Sequence, residues 1–346
     1  MNKIKVGIVG LGFVAQNRHI PALMKLRKKV TINAVCDLNK NLAEKFAKSF
    51  GIPRIYTKPS DMLSKEDLDI VDICTPPQTH ASLAIEAMEK GCNIILEKPM
   101  ATSVKDCDDI IRTSKKNDVK LSVLHNQRFY PPFMKAEQIV KEGVIGKLMG
   151  LRILSLTNRE EYMVHKNHWV HKLPGGIIGE TGPHEIHMAL IFLDNVKDVE
   201  VYAQKTLEFP WVLYDYYNIQ LKGKSTSGSI VISHAGDYNV EEVDLIGTKG
   251  MIRMDLHSMT LVRYGKKNLK LTTLALSSLS VASQIIKETG SNILSVLFKK
   301  SMLGHDIFMS RFIDSILNDD LVPVTPEEGR ETVRLMEMIL KKLKRK

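Results

Sequence analysis

Cysteine is scarce in this chain. The 346 residues contain four, Cys36, Cys74, Cys92 and Cys107, all in the first third and none in a C-x-x-C pair. That excludes a disulfide-stapled scaffold and a cysteine-rich zinc module. Each cysteine falls on or beside an apolar run, where a thiol behaves as a small hydrophobe, so a reducing, cytoplasmic compartment is expected. Long apolar runs are also missing. Residues 1–5 lead directly into a short strand-like run with no signal-peptide h-region. The longest late uncharged stretch, residues 271–286, is rich in Ser and Thr and short of the roughly 20 apolar residues a spanning helix needs, so no membrane partner is expected. Gly (21) and Pro (13) are too few for a collagen-like or low-complexity chain.

Acidic residues are outnumbered, 39 against 49 Lys and Arg, for a formal charge of +10. Such a balance raises nucleic acid as a partner. The excess is local, however. Lys25, Arg27, Lys28 and Lys29 crowd one segment, and Lys341, Lys342, Lys344, Arg345 and Lys346 end the chain. No zinc-finger, RRM or KH signature accompanies them, so they read as solvated surface and a frayed tail, with no nucleic-acid partner.

The length calls for two domains. Up to residue 123, β-branched runs (4–9, 31–36, 70–74, 93–96, 120–124) alternate with helical patterns (39–50, 78–90, 103–117). Such βαβ grammar predicts an α/β, doubly wound parallel sheet. Residues 124–346 begin with a helical linker at 131–141. Alternating strands follow at 147–157, 199–207, 214–221, 227–233, 240–246, 251–255 and 260–264, with helices at 183–192, 305–317 and 326–343. This half is read as an α+β domain on a large, mainly antiparallel open sheet.

The first strand runs into Gly10-Leu11-Gly12-Phe13-Val14-Ala15, a G-x-G-x-x-A turn. Gly10 permits the tight turn, Gly12 lets backbone approach a dinucleotide pyrophosphate, and the following helix N-terminus presents free N–H groups to its charge. Asp37 ends the second strand, 27 residues beyond Gly10. A carboxylate there accepts from ribose hydroxyls and repels a 2′-phosphate, which favours NAD over NADP.

Three further segments follow in fixed order. Thr75-Pro76-Pro77-Gln78-Thr79-His80 has the form T-P-x-x-x-H, and Glu97-Lys98-Pro99-Met100-Ala101 the form E-K-P-x-A. Residues 175–187, from Gly175-Gly176 through Glu180 and His184 to His187, have the form G-G-x-x-x-[D/E]-x-x-x-H-x-x-H. Together they resemble the Gfo/Idh/MocA family of NAD(P)-dependent sugar and polyol oxidoreductases over nearly the whole chain. The resemblance implies a Rossmann domain, then a sheet domain that assembles homodimers or homotetramers, and an active site to which both contribute. It places Gly10, Gly12, Phe13, Val14, Ala15, Asp37, Thr75, Pro76, His80, Glu97, Lys98 and Asn126 along the cofactor. Lys98, Glu180 and His184 become the catalytic candidates.

Oxidising a secondary alcohol with NAD requires a base for the hydroxyl proton. His184 has a suitable intrinsic pKa, and a lysine such as Lys98, desolvated beside a positive nicotinamide, would have its own lowered; either fits as acid/base. Glu180 stands where the resemblance leads one to expect aspartate. Its extra methylene moves the carboxylate about 1.5 Å, and it would orient His184 or meet a substrate hydroxyl. Pro183 suits a first helical position, with His184 and His187 in the first turns. Trp169, Arg128 and His187 are assigned to a small-molecule sugar or polyol substrate. His165, His168 and His171, with His184 and His187, invite a zinc reading, but loop placement and interleaved Asn167 and Lys172 argue against it, and no metal is expected. A non-catalytic dinucleotide-binding regulator of the same fold is the alternative to an enzyme. Residues 274–303 are longer than a connection needs and are read as an ordinary packed helix, with a lid or oligomer contact as alternatives.

Overall fold

The alternation of strand and helix signals translates directly into element order. A computed structural model describes residues 3–158, 164–265, 270–298 and 304–344. In chain order the first elements are β1 (Ile4–Val9), α1 (Ile20–Lys25), β2 (Val30–Cys36), α2 (Lys40–Phe50), β3 (Arg54–Tyr56), α3 (Pro59–Lys65), β4 (Ile70–Ile73), α4 (His80–Glu89), β5 (Asn93–Glu97), α5 (Val104–Lys116) and β6 (Leu121–Leu124). There follow α6 (Pro131–Lys141), β7 (Leu148–Asn158), α7 (Ile178–Phe192), β8 (Asp198–Gln204), β9 (Tyr216–Lys222), β10 (Ser227–Gly236), β11 (Val240–Gly247), β12 (Met251–Asp255), β13 (Thr260–Tyr264), α8 (Leu271–Leu297), α9 (Gly304–Asn318) and α10 (Pro326–Leu343). The chain divides into two compact units, residues 1–126 with 302–334, and residues 127–301 with 335–346.

The first unit is built on a six-stranded parallel sheet in the order β3-β2-β1-β4-β5-β6. Its strands are mostly apolar because helices cover both faces; central β4 and edge strand β6 are buried at every residue, Asp72 and Ser122 included. Helix starts are chemically marked. Asn39 accepts from the Leu42 N–H and Ser103 from the Asp106 N–H, closing the first turns of α2 and α5. The three-residue β3 was not legible in the sequence, being too short for any period to register. Strand order reverses beside β1, the switch point beyond which doubly wound sheets bind ligands.

Where the sequence reading cuts once after residue 123, the chain returns to the first unit through α9. Phe308, Met309, Phe312 and Ile313 are fully buried there. The Ser122 hydroxyl donates to the Val324 carbonyl (2.7 Å), and Lys120 Nζ to the Ser315 carbonyl (2.9 Å). Lys25 and Lys29, read as part of a solvated patch, pair with Asp306 and Asp314 of α9. Local sequence could not show this, since the partners lie some 280 residues away.

The second unit carries a seven-stranded sheet, β13-β12-β11-β7-β10-β9-β8. All pairs are antiparallel except β7 with β10, which run parallel. One face alternates inward as Ile153, Ile219, Ile230, Val243 and Ile252. It packs with Ile186 and Ala189 of α7 and Leu335 and Ile339 of α10. Two expectations are corrected. Helix α7 starts at Ile178 rather than at Pro183, which lies inside it: the Thr181 N–H already closes a helical turn on the Ile177 carbonyl, and Gly179 and Gly182 fit where a Cβ would meet the Pro174 carbonyl at 2.7 Å and Met336 at 3.0 Å. Helix α8 is no ordinary packed helix, since none of its residues is buried. Residues 299–303, Arg345 and Lys346 lie outside the described residues. Among the described residues no helix is long and apolar enough to cross a membrane.

Candidate active site

The glycine turn follows β1 directly. Gly10 has φ +88°, and a Cβ there would stand 2.8 Å from the Cys74 carbonyl carbon and oxygen at the end of β4, so both backbone conformation and space require glycine. Gly12 differs: a Cβ on it meets nothing within 4 Å. Its backbone is open on the side that a pyrophosphate would approach. Phe13 is 71% exposed while Ala15 is buried, and Val14 lies between these extremes. Asp37 braces the turn, its Oδ2 accepting from the Leu11 N–H at 2.8 Å and its Oδ1 from the Asn39 N–H at 2.8 Å. These residues fit a dinucleotide: an unobstructed backbone turn at a helix N-terminus, held by a carboxylate at the end of β2.

Beyond β4 and β5 the residues are tied together. Thr79 Oγ1 donates to Thr75 Oγ1 (2.8 Å), and Pro76 is exposed. His80 is fully buried, with Nε2 2.8 Å from the Thr75 carbonyl and Nδ1 2.9 Å from the Pro99 carbonyl. It braces the loops rather than facing outward, and burial lowers its pKa despite those carbonyls. The Lys98–Pro99 peptide is cis. Glu97 Oε2 accepts from the Lys98 N–H at 3.1 Å, and Glu97 Oε1 accepts from His19 Nε2 at 2.8 Å. Lys98 itself is half-buried, as is Asn126 beyond β6.

His19 sits on a π-turn, Ala15–His19, in the helix that follows the glycine turn. Such single-turn insertions recur at functional sites. Its other nitrogen, Nδ1, lies 2.9 Å from both oxygens of Asp72 and 3.2 Å from Cys74 Sγ. All four groups are buried. An imidazole that donates from both nitrogens is an imidazolium. Burial opposes that charge, yet the charge of Asp72 and the hydrogen bonds to Asp72 and Cys74 raise its pKa well above the ordinary value. Burial likewise opposes ionisation of Glu97, but the hydrogen bond and charge of His19 bring its pKa down to about 2. Burial and the Asp72 charge push the Cys74 thiol up to about 12, so it stays a thiol. The His305 ring of α9 lies 5.7 Å from His19; burial and the His19 charge lower its pKa to about 4.

In the second unit α7 presents Glu180, His184 and His187 at i, i+4 and i+7, hence on one helix face. The early helix start therefore places Glu180 one turn before His184. Glu180 and His184 are half-buried and His187 is 2% exposed. Next to Glu180, Thr181 Oγ1 lies 3.2 Å from His234 Nε2. Burial lowers the His234 pKa to about 4 against the charge of Asp215. Arg128 Nη2 stands 3.5 Å from Glu137 Oε1. Trp169 is 38% exposed, tilted against His168. A cavity of about 190 Å³ opens beside the glycine pair, lined among others by His171, Gly175, Gly176, Trp211 and Tyr214. Gly175 has φ +80°, and its Cβ would strike Leu340 at 2.3 Å, which explains the first glycine of that motif.

Sequence reasoning missed His19, Asp72, Cys74 and His305 as a cluster, and the buried Glu185 and Glu241. A signal existed: Asp72 interrupts the otherwise apolar β4, and a charge in a buried strand demands a partner. Among the described residues, the side chains close enough to share a metal are His19–Asp72–Cys74 and His19–Glu97–His305. Their shared nitrogens are engaged as ion-pair donors. The histidines of residues 165–187 form no such group among the described residues.

Both halves of the chain match known proteins. The profile of the oxidoreductase family with an NAD-binding Rossmann fold matches residues 4–125, and that of the GFO/IDH/MocA C-terminal domain matches residues 133–253. Myo-inositol 2-dehydrogenase of Thermotoga maritima is 26% identical over 263 residues, 73% of this chain and 75% of that one. The WlbA dehydrogenase of Bordetella pertussis, solved with NADH and UDP-GlcNAcA, superposes with TM-score 0.83 at 18% identity, covering 99% of this chain and 96% of that chain. An oxidoreductase of Agrobacterium radiobacter, solved with NAD+, L-tartaric acid and magnesium, gives TM-score 0.80 at 20% identity over 99% and 96% of the chains. With both halves matched in order, this chain belongs to the Gfo/Idh/MocA family and is an NAD-dependent oxidoreductase.

Proposed function

We propose that the chain transfers a hydride between NAD and a secondary alcohol of a sugar, cyclic polyol or nucleotide sugar. The observation that carries this reading is the anchoring of Lys98. Its backbone N–H is held by Glu97, and Glu97 is clamped by the buried His19 imidazolium. A buried three-residue ion-pair network is costly to assemble, and here it steadies one half-buried ammonium just beyond a strand of the cofactor sheet.

Gly10, Gly12, Phe13, Val14 and Ala15 would hold the pyrophosphate, Asp37 the adenosine ribose, and Thr75, Pro76, Glu97 and Asn126 the nicotinamide half. Bound NAD supplies the hydride acceptor. Lys98 Nζ hydrogen-bonds the substrate hydroxyl oxygen and stabilises alkoxide character there. His184 takes the proton from that oxygen, or Lys98 does so where it stands as the neutral amine. Glu180, one turn earlier on the same face, orients the His184 ring or binds a neighbouring hydroxyl. His187, Arg128 and Trp169 line the substrate, Arg128 with its charge already shared with Glu137. The names of the relatives, an inositol dehydrogenase and a dehydrogenase bound to a nucleotide sugar, support these substrate classes. Four free, buried cysteines support a reducing, cytoplasmic setting.

The test is NADH formation with a panel of inositols, aldoses and nucleotide sugars, run beside NADH binding by fluorescence. Turnover within one class is expected. Tight NADH binding with no turnover in any of the three would count for a regulatory protein instead.

A further inference from the structure

Helix α8 is amphipathic in the reverse sense. The residues turned toward its own sheet are Thr273, Ser277, Val281, Gln284, Glu288, Asn292 and Ser295, each half-buried and all but one polar. Gln284 Nε2 donates to the Arg263 carbonyl and Gln284 Oε1 accepts from the Arg263 N–H. Glu288 pairs with Lys135 at 2.7 Å, and Asn292 Nδ2 donates to the Ser258 and Met259 carbonyls. The outward face is apolar: Leu279 is 67% exposed, Ile286 72%, Ile293 55% and Val296 64%. A helix with a polar stripe satisfied inside its own unit and an apolar face in water has its hydrophobic partner outside the chain.

The outward face also has a period. Leu279, Ile286 and Ile293 recur every seven residues, and so do Ala275, Ala282, Thr289 and Val296, interleaved at steps of four and three. All are exposed. That is an a/d seam, the pattern that fits another helix rather than a flat surface. A membrane surface fits poorly, since an in-plane helix needs a strongly charged polar face. Here Lys287 and Glu288 are the only charges within α8, and Glu288 is turned inward to Lys135.

We propose that α8 pairs with α8 of a second copy of this chain as an antiparallel coiled coil. Large and small residues then alternate across the seam: Ala275 faces the second copy's Ile293, Leu279 its Thr289, and Ala282 its Ile286. A parallel pair would instead stack Ala on Ala and Ile on Ile, leaving gaps in alternate layers. The paired length is about 40 Å for 27 residues, and exposed Leu276 and Leu297 flank the seam along it. The inference is independent of the reaction proposed above and gives α8 a self-association surface of its own.

The experiment is sedimentation equilibrium of the full chain at micromolar concentration, beside the triple variant Leu279→Glu/Ile286→Glu/Ile293→Glu. These positions are exposed, so circular dichroism and NADH binding should be retained. The mass of the assembly is expected to halve in the variant. A second variant, Ala282→Cys/Ile286→Cys, should form an intermolecular disulfide on mild oxidation, as the native cysteines are all buried. A monomeric wild type, an assembly unmoved by the three glutamates, or α8-dependent flotation on phosphatidylglycerol vesicles would each overturn the proposal.

Discussion

His19 Nε2 donates to Glu97 Oε1 at 2.8 Å while the second oxygen of the same carboxylate receives the Lys98 N–H. One buried imidazolium thus steadies both β5 and the turn that presents Lys98. Replacing it by a neutral side chain, as in His19→Gln, leaves Asp72 and Glu97 buried without their cation, at a cost of about 3–5 kcal/mol. The pH dependence has a definite sign. Glu97, depressed to about 2 in the folded chain, stabilises it fully above the unfolded carboxyl range, and that contribution is lost progressively as pH falls from there through about 2. In His19→Gln the buried carboxyl titrates at higher pH, so acid unfolding followed by urea titration should begin at higher pH than in the wild type. An unshifted acid edge would contradict the ion-pair assignment.

Gly10 and Gly12 should respond differently to the same substitution. Gly10→Ala meets Cys74 backbone at 2.8 Å with φ +88° and should lose about 1–3 kcal/mol of stability along with NADH binding. Gly12→Ala meets open space and should keep its melting temperature while binding NADH at least about tenfold more weakly, because the added methyl lies where the backbone must approach phosphate. Thermal melts beside fluorescence titrations separate the two. Equal stability loss in both would argue against a cofactor role for Gly12.

Asp37 braces the Leu11 N–H and, in the function proposed, also meets the adenosine ribose. Asp37→Asn retains an acceptor for the Leu11 N–H but removes the charge that repels a 2′-phosphate. The ratio of NADPH to NADH affinity should rise by about tenfold, the equivalent of about 1.4 kcal/mol. An unchanged ratio would leave Asp37 with the bracing role alone.

Glu241 of β11 is buried and accepts a hydrogen bond from Gln127 Nε2. Burial first, then the charge of Glu185, raise its carboxyl pKa to about 8. A carboxyl raised on folding stabilises fully below its unfolded pKa, and its contribution falls as pH rises toward 8. Glu241→Gln, neutral throughout, should therefore gain in melting temperature over the wild type as pH increases from 5 to 9. A gap that does not change with pH would show that Glu241 ionises normally.

Legibility in the sequence followed the range of the interaction. The parallel sheet, the antiparallel sheet and the longer helices were readable because periodicity and caps act within a dozen residues; α6 and α10 fall at the expected bounds, while the short α1 and α3 carried too few turns to register. The glycine turn was readable as local backbone chemistry, and the E-K-P segment as part of the family resemblance. What escaped depended on distant partners. The return of α9 to the first unit rests on bonds such as Ser122 to Val324, and the clamp on Glu97 joins residues 78 positions apart. The start of α7 was misplaced because Pro183 looked like a helix-initiating residue, whereas the backbone already turns helically from the Ile177 carbonyl, more than a turn earlier. The outward seam of α8 was present in the letters, but only the inward hydrogen bonds of Gln284 and Asn292 reveal which side is which.

The central claim is that Lys98 acts on the substrate oxygen. Its most direct test is kcat for NADH formation by Lys98→Met against the wild type on whichever alcohol is turned over, with NADH dissociation constants measured alongside. The account predicts a fall in kcat of about 100-fold or more, the range of acid–base and electrostatic contributions, with cofactor affinity changed by no more than a few-fold. Full turnover by Lys98→Met would contradict it.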